Sequence, residues 1–139
     1  MSEIKYSVLE QEICELIEKS LLNRKYKEFV KFPLSEKTVN IVWKKVKIDL
    51  SAYYCVIHSD EIRHIQKEHP DDVHHICKIP YHLEKIAKIE RTFSLNRKTN
   101  KREPCILFNK FIEKGKLVII KLNISREKVL RLKTLYEDV

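Results

Sequence analysis

The chain has 139 residues, 43% of them hydrophobic and 35% charged, which suffices for one core and is too short for two ordinary domains. Its formal net charge of +8 favours a polyanionic partner, nucleic acid first, with a merely solvated Lys-rich, Gly-poor surface as the lesser alternative. No apolar run, Leu117 to Ile120 included, approaches a membrane span, and Met1 to Tyr6 lack the basic-then-apolar order of a secretory signal. The expectation is therefore a protein of the cytoplasm, or one delivered into a target cell's cytoplasm, with no membrane contact. Cys14, Cys55, Cys77 and Cys105 share no close spacing, so they are expected to be reduced and mostly buried rather than zinc-bound or disulfide-linked.

A single domain over residues 1–139 is expected, with residues 1–50 as a helical N-terminal part and 51–139 as the core. Ser7 and Glu10 have capping-box spacing, and Leu9, Ile13, Leu16, Ile17 and Leu21 recur at helical intervals, which predicts an amphipathic helix over 8–22. Tyr26 to Phe32 has the character of a short edge strand ending at Pro33. From Ser35, the spacing of Val39, Val42, Trp43 and Val46 predicts a second helix to Lys47. The aromatic and branched run from Asp49 to His58 should be extended.

Ser59 is then a suitable N-cap, with Asp60 and Glu61 in a first turn where the helix dipole favours acids. Pro70 disfavours helical geometry at His69, so this third helix should finish near Glu68. A short fourth helix before Pro80 and a further turn to Ile86 follow. Beyond residue 86 the period changes to two: Ala87, Ile89, Arg91, Phe93 and Leu95 share one face of a strand. Pro104 to Ile112, Lys116 to Ile124 and Val129 to Glu137 supply three more strands, joined by links too short for crossovers. The expected fold class is α+β: N-terminal helices followed by a four-stranded antiparallel meander.

Chemistry-bearing residues concentrate in SDEIRHIQKEHPDDVHHICKIP, residues 59–80. His64 and Glu68 lie one turn apart on the third helix, whereas His69 falls about 140° around from His64. His69 stands at the helix C-terminus, where the dipole favours positive charge, which suits a proton donor or a phosphate contact. His64 could be its partner base, oriented by Glu68. A polar helix face with histidines is also common without catalysis. His69, His74, His75 and Cys77 offer zinc-ligand types, but HHxC lacks a second paired knuckle and His74 and His75 diverge by about 100° on a helix, so no metal and no cofactor are expected. His58, His74, His75 and His82 fall to surface or supporting roles.

On the strands, Arg91 shares a face with Ile89 and Phe93, Lys110 with Ile106 and Phe108, and Thr134, under strict alternation, with Leu130, Leu132 and Tyr136. A cation on a core-facing position needs a partner or the edge of a cleft. A slip of register by one would instead turn Arg91 or Lys110 outward. Arg97, Lys98, Lys101 and Arg102 make the loop NRKTNKRE densely basic.

IDLSAYYCVIHSDEIRHIQKEHP, a short helix ending in IP, and strands containing ILFNKFI and closing on LRLKTLYE together resemble the phage-associated branch of the Barnase-EndoU-ColicinE5/D-RelE superfamily of nuclease domains. The resemblance covers roughly residues 34–138 and rests on His64, His69, Thr134 and Tyr136. Ala52, and Lys47 at the end of a helix, stand where that family usually has glycine, and Pro70 follows His69.

The resemblance implies a metal-independent endoribonuclease, toxin-like or phage-associated, that leaves a 2′,3′-cyclic phosphate. It assigns acid and base work to His64 and His69 and phosphate binding to Arg91 and Lys110. Thr134 would position the substrate and Tyr136 stack or support a base, with Glu68, Arg97, Lys98, Lys101 and Arg102 as further substrate contacts. RNA, tRNA among the candidates, is the implied partner, with a cognate immunity or antitoxin protein beside it. Two other classes fit the same residues: a non-catalytic nucleic-acid-binding module and a protein-interaction or inhibitor domain. In the catalytic reading, His64 or His69 should share a cleft with Arg91 and Thr134.

Overall fold

The computed structural model describes residues 6–113, 116–125 and 127–138. Helix α1 (Ser7–Leu22) leads to strand β1 (Phe29–Pro33), helix α2 (Glu36–Val46), strand β2 (Tyr54–His58) and helix α3 (Ser59–Glu68). A 3-10 helix (Pro70–Lys78) and a single turn, α4 (Ile79–His82), precede the strands β3 (Lys88–Asn96), β4 (Lys101–Glu113), β5 (Lys116–Ser125) and β6 (Val129–Asp138). The turns placed at Lys114–Gly115 and at Arg126 fall outside the described residues.

The expected meander is present as β3 to β6, but the sheet has six strands in the order β1-β2-β6-β5-β4-β3. β2 joins it parallel to β6, and β1 adds antiparallel to β2. Short links do force antiparallel pairing between neighbours in sequence. They place no constraint on β2, whose connection to β6 runs through α3, the 3-10 helix and three strands.

Register sorts the side chains into two rows. Phe32, Cys55, Ile57, Leu130, Leu132, Leu135, Ile120, Leu122, Ile106, Phe108 and Ile89 all turn to one face and are buried. There they meet Ile13 and Leu16 of α1, Val42 of α2, Ile62 and Ile65 of α3, and Val73 and Ile76 of the 3-10 helix in one apolar cluster. The other face carries Tyr54, Arg131, Lys121, Leu107 and Glu90, all at least partly exposed.

Local signals explain most boundaries, with corrections at the caps. Ser35 caps α2, its Oγ accepting the Thr38 N–H at 3.2 Å. The Ser7–Glu10 capping box does not form: Tyr6 is the N-cap and makes no side-chain capping bond. Ser59 is not a cap but the first helical residue of α3, and His58 caps it by accepting the Asp60 N–H on Nδ1 at 3.0 Å. All four cysteines are free, but only Cys55 and Cys105 are buried; Cys14 is exposed and Cys77 half-buried. Burial alone pushes the Cys55 thiol up to about 12, so it behaves as a small apolar group. No helix among the described residues is long and apolar enough to cross a membrane.

Candidate active site

α3 leaves the end of β2 without a linker, and its first turn is tied to α1 and to the segment before β1. Ser20 Oγ donates to Ser59 Oγ at 2.8 Å with both residues fully buried, and Ser59 Oγ donates to the Glu28 carbonyl at 3.1 Å. Arg63 donates to the carbonyls of Ser20 (3.0 Å) and Tyr26 (2.9 Å) and to Asp60 Oδ1 (2.9 Å). With Ile62 and Ile65 in the core, the remaining flank of the helix carries Glu61, His64 and Glu68 at i, i+3 and i+7. Glu61 Oε1 accepts from Arg131 Nε at 2.7 Å, so this flank meets β6. His64 and Glu68 are exposed along it.

His69 closes the helix, its N–H donating to the Ile65 carbonyl at 2.7 Å, and its ring stacks on Tyr136 with centroids 5.1 Å apart and planes 25° apart. Tyr136 and Thr134 reach this side through an irregularity that alternation does not foresee. Leu132 pairs with Leu122 and Thr134 with Lys121, which leaves Lys133 as one extra residue in β6. The bulge corrects the expected face: Leu135 joins Leu130 and Leu132 in the core, while Thr134 and Tyr136 turn to the open face with Arg131.

Two cross-strand rows then run over the open face from β6 to β3. One is Thr134, Lys121, Leu107 and Glu90; the other is Tyr136, Ile119, Asn109 and Lys88. Beside them a groove of about 550 Å³ is floored by Leu107, Phe111, Leu117 and Ile119, with Asn109, Lys88, Glu90 and Asp138 as its polar lining. A smaller cavity of about 240 Å³ between α1 and β1 is rimmed by Glu12, Glu15 and Glu28 against the cation Lys19, an acidic balance that repels a polyanion.

Arg91 and Lys110 are not on this open face. Each lies on the helix-covered face, as its neighbours in sequence predicted, and each is engaged there. Arg91 donates through Nε (3.2 Å) and Nη2 (2.9 Å) to the Val46 carbonyl at the end of α2, and Lys110 Nζ lies 3.0 Å from His82 Nδ1. The common cleft expected for a histidine, Arg91 and Thr134 is thus absent, because Arg91 and Thr134 stand on opposite faces of the sheet and three strands apart.

Residues 34–138 match the family model described as phage-Barnase-EndoU-ColicinE5/D-RelE like nuclease 3. The chain belongs to this family. Among curated proteins and among solved structures nothing matches it. The phage-Barnase-EndoU-ColicinE5/D-RelE like nuclease match begins after β1, so α1 and β1, which brace α3 and border β2, lie outside it. Lys47 and Ala52, the two positions at which the resemblance led to an expectation of glycine, adopt left-handed backbone with φ 58° and φ 64°.

The basic loop is a tight turn closed by the Asn96–Lys101 pair, where Asn96 Oδ1 accepts the N–H groups of Lys98 (3.0 Å) and Thr99 (3.4 Å). Arg97, Lys98, Lys101 and Arg102 are all exposed on it. Six residues of β3 from Glu90, level with Thr134, and three strand spacings put this tip roughly 25 Å from Thr134.

Behind the sheet a second polar group links the 3-10 helix and α4 to β4 and β6. His75 Nε2 lies 2.5 Å from Glu137 Oε1, and the Glu137 N–H donates to Asp72 Oδ2 at 3.1 Å. The His75 bond holds the Glu137 carboxyl below its usual range. His82 is 6% exposed; burial, with the charge of Lys110 second, holds it down to about 3, so the ring is neutral and accepts from Lys110. Burial likewise lowers Lys110. Sequence reading undervalued His75 and His82, and missed Arg131, Glu61, Lys121 and Asn109. Strand alternation signals Arg131, between the buried Leu130 and Leu132, as outward-facing; nothing local pairs it with Glu61, 70 residues earlier.

Proposed function

We propose that the chain is an endoribonuclease acting at the edge between α3 and β6, by attack of an RNA 2′-hydroxyl on the adjacent phosphate, with no metal in the reacting step. The observation that carries this reading is the meeting of α3 with the bulged side of β6: His69 lies on Tyr136, and Glu61, one turn before the exposed His64, holds Arg131. As the O2′–P bond forms a base takes the 2′ proton, and as the P–O5′ bond breaks an acid returns a proton to O5′, leaving a 2′,3′-cyclic phosphate. Imidazoles suit both transfers near neutral pH, and His64 and His69 divide the two roles. Glu68, one turn beyond His64 on the same flank, orients its ring.

Arg131, aimed by Glu61, faces the phosphorane charge, and Lys121 opposite Thr134 is the second cation in reach. Thr134 positions the phosphate. Tyr136 and the apolar groove floor receive bases splayed from a single strand, and the basic β3–β4 turn holds the chain farther along. Arg91 and Lys110 serve the packing behind the sheet. A nuclease of this charge that acts as a toxin calls for an acidic immunity protein laid over the same edge.

The test is incubation of end-labelled RNA with the chain in EDTA. Fragments ending in 2′,3′-cyclic phosphate, lost by about 10²–10⁴-fold in His64→Ala and His69→Ala without loss of fold, are expected. Binding of many RNAs without cleavage would leave a nucleic-acid-binding module instead.

A further inference from the structure

We propose that His74, His75 and Glu137 form a binding site for a borderline divalent cation, Zn²⁺ above others, that staples the 3-10 helix to the last strand. The three side chains each offer a ligand atom, and those atoms all lie within 4.8 Å of one another. They comprise two imidazoles and one carboxylate, a set that zinc takes with a water in the fourth place. Ligands about 2.0–2.1 Å from a tetrahedral ion stand roughly 3.3 Å apart, so the 2.5 Å contact between His75 and Glu137 needs to open by less than about 1 Å.

The geometry is prepared on both sides. His75 is 8% exposed and fixed in the packing, and Asp72 accepts the Glu137 N–H, which holds that strand residue from behind. His74 is exposed, with its ring 4.0 Å from that of His75, and leaves the site open to an ion from solvent. The 100° divergence expected on an α-helix does not keep the two rings apart on the tighter helix found here. His69 and Cys77, the other two sequence candidates, are engaged elsewhere: His69 stacks on Tyr136, and Cys77 Sγ donates to the His74 carbonyl at 3.2 Å. Lys116 acts on Glu137 from the neighbouring strand and opposes a cation. The two imidazoles offset that repulsion only for an ion with high affinity for nitrogen, which excludes Mg²⁺.

The site differs from the proposed reaction centre and asks nothing of it. The ion is a fastener: it joins residues 62 positions apart and sits one residue from Tyr136, so it fixes the strand on which His69 stacks.

The experiment is titration of the chelator-treated full chain with Zn²⁺, read by calorimetry and by thermal melting. One equivalent should bind and raise the melting temperature, while Mg²⁺ at the same concentration does neither. His74→Ala removes an exposed ring, so it should leave the metal-free melting temperature in place while weakening Zn²⁺ binding at least about tenfold. Glu137→Gln should do the same to the affinity. Absence of Zn²⁺ binding by the unaltered chain, or an affinity undiminished by either substitution, overturns the proposal; cleavage in EDTA reads the reaction separately.

Discussion

Two unlike contacts hold His69: its backbone closes α3 through the Ile65 carbonyl, and its ring lies on Tyr136. A catalytic imidazole needs this kind of restraint, because a ring free to rotate loses most of the advantage of proximity. Behind the sheet, His82 shows the opposite use of the same side chain. Unfolded, it takes up a proton near pH 6.5; folded, it does so only at about 3. The folded state therefore binds fewer protons between these values. Its stability is full above about pH 6.5 and is lost as the pH falls, by up to about 1.4 kcal/mol per pH unit. Urea unfolding at pH 7.5 and pH 5 in chelator measures this loss, and His82→Gln, which keeps an acceptor for Lys110, should flatten it. An unchanged slope in that variant would mean that His82 is not held neutral.

At the scale of elements, left-handed residues offer the cleanest test of backbone cost. Lys47 ends α2 and Ala52 precedes β2, and both adopt a conformation in which a Cβ is unfavourable. Lys47→Gly and Ala52→Gly should each raise the unfolding free energy by roughly 0.5–1 kcal/mol in urea titrations, the gain from relieved strain exceeding the added entropy of the unfolded chain. Destabilisation by either would show that the side chain contributes more than its conformation costs.

The same scale marks where sequence reading stops. Helices α1, α2 and α3 and the meander were legible because periods of 3.6 and 2 are local properties of the chain. Membership of β2 in the sheet was not, since a parallel partner 75 residues away leaves no mark on either strand. The Lys133 bulge was equally hidden, because it exists only relative to the register of β5. That single residue decides which face Thr134 and Tyr136 occupy. So His64, His69, Thr134 and Tyr136 were readable as candidates, but their company of Arg131 and Glu61, and the removal of Arg91 and Lys110, required the fold.

For the molecule as a whole, the net charge of +8 acts over distances that the reaction centre does not. The basic turn stands more than two Debye lengths from Thr134 at physiological salt, so under the proposed reaction it would add affinity without altering the chemistry. Replacing Arg97, Lys98, Lys101 and Arg102 by serine should weaken binding of single-stranded RNA and lower the slope of log affinity against log salt by about 3, with the single-turnover cleavage rate at saturation unchanged. A reduced saturating rate would place the turn within the reaction centre. The division of the sheet into a reacting face and a packing face is the central claim, and one comparison tests it most directly. Cleavage rates of end-labelled RNA are measured in EDTA for His69→Ala and Arg91→Leu, each checked for fold by circular dichroism. The expected result is a loss of at least about 10²-fold in His69→Ala and a rate within a few-fold of the unaltered chain in Arg91→Leu. Full activity in His69→Ala, or a comparable loss in a folded Arg91→Leu, would contradict it.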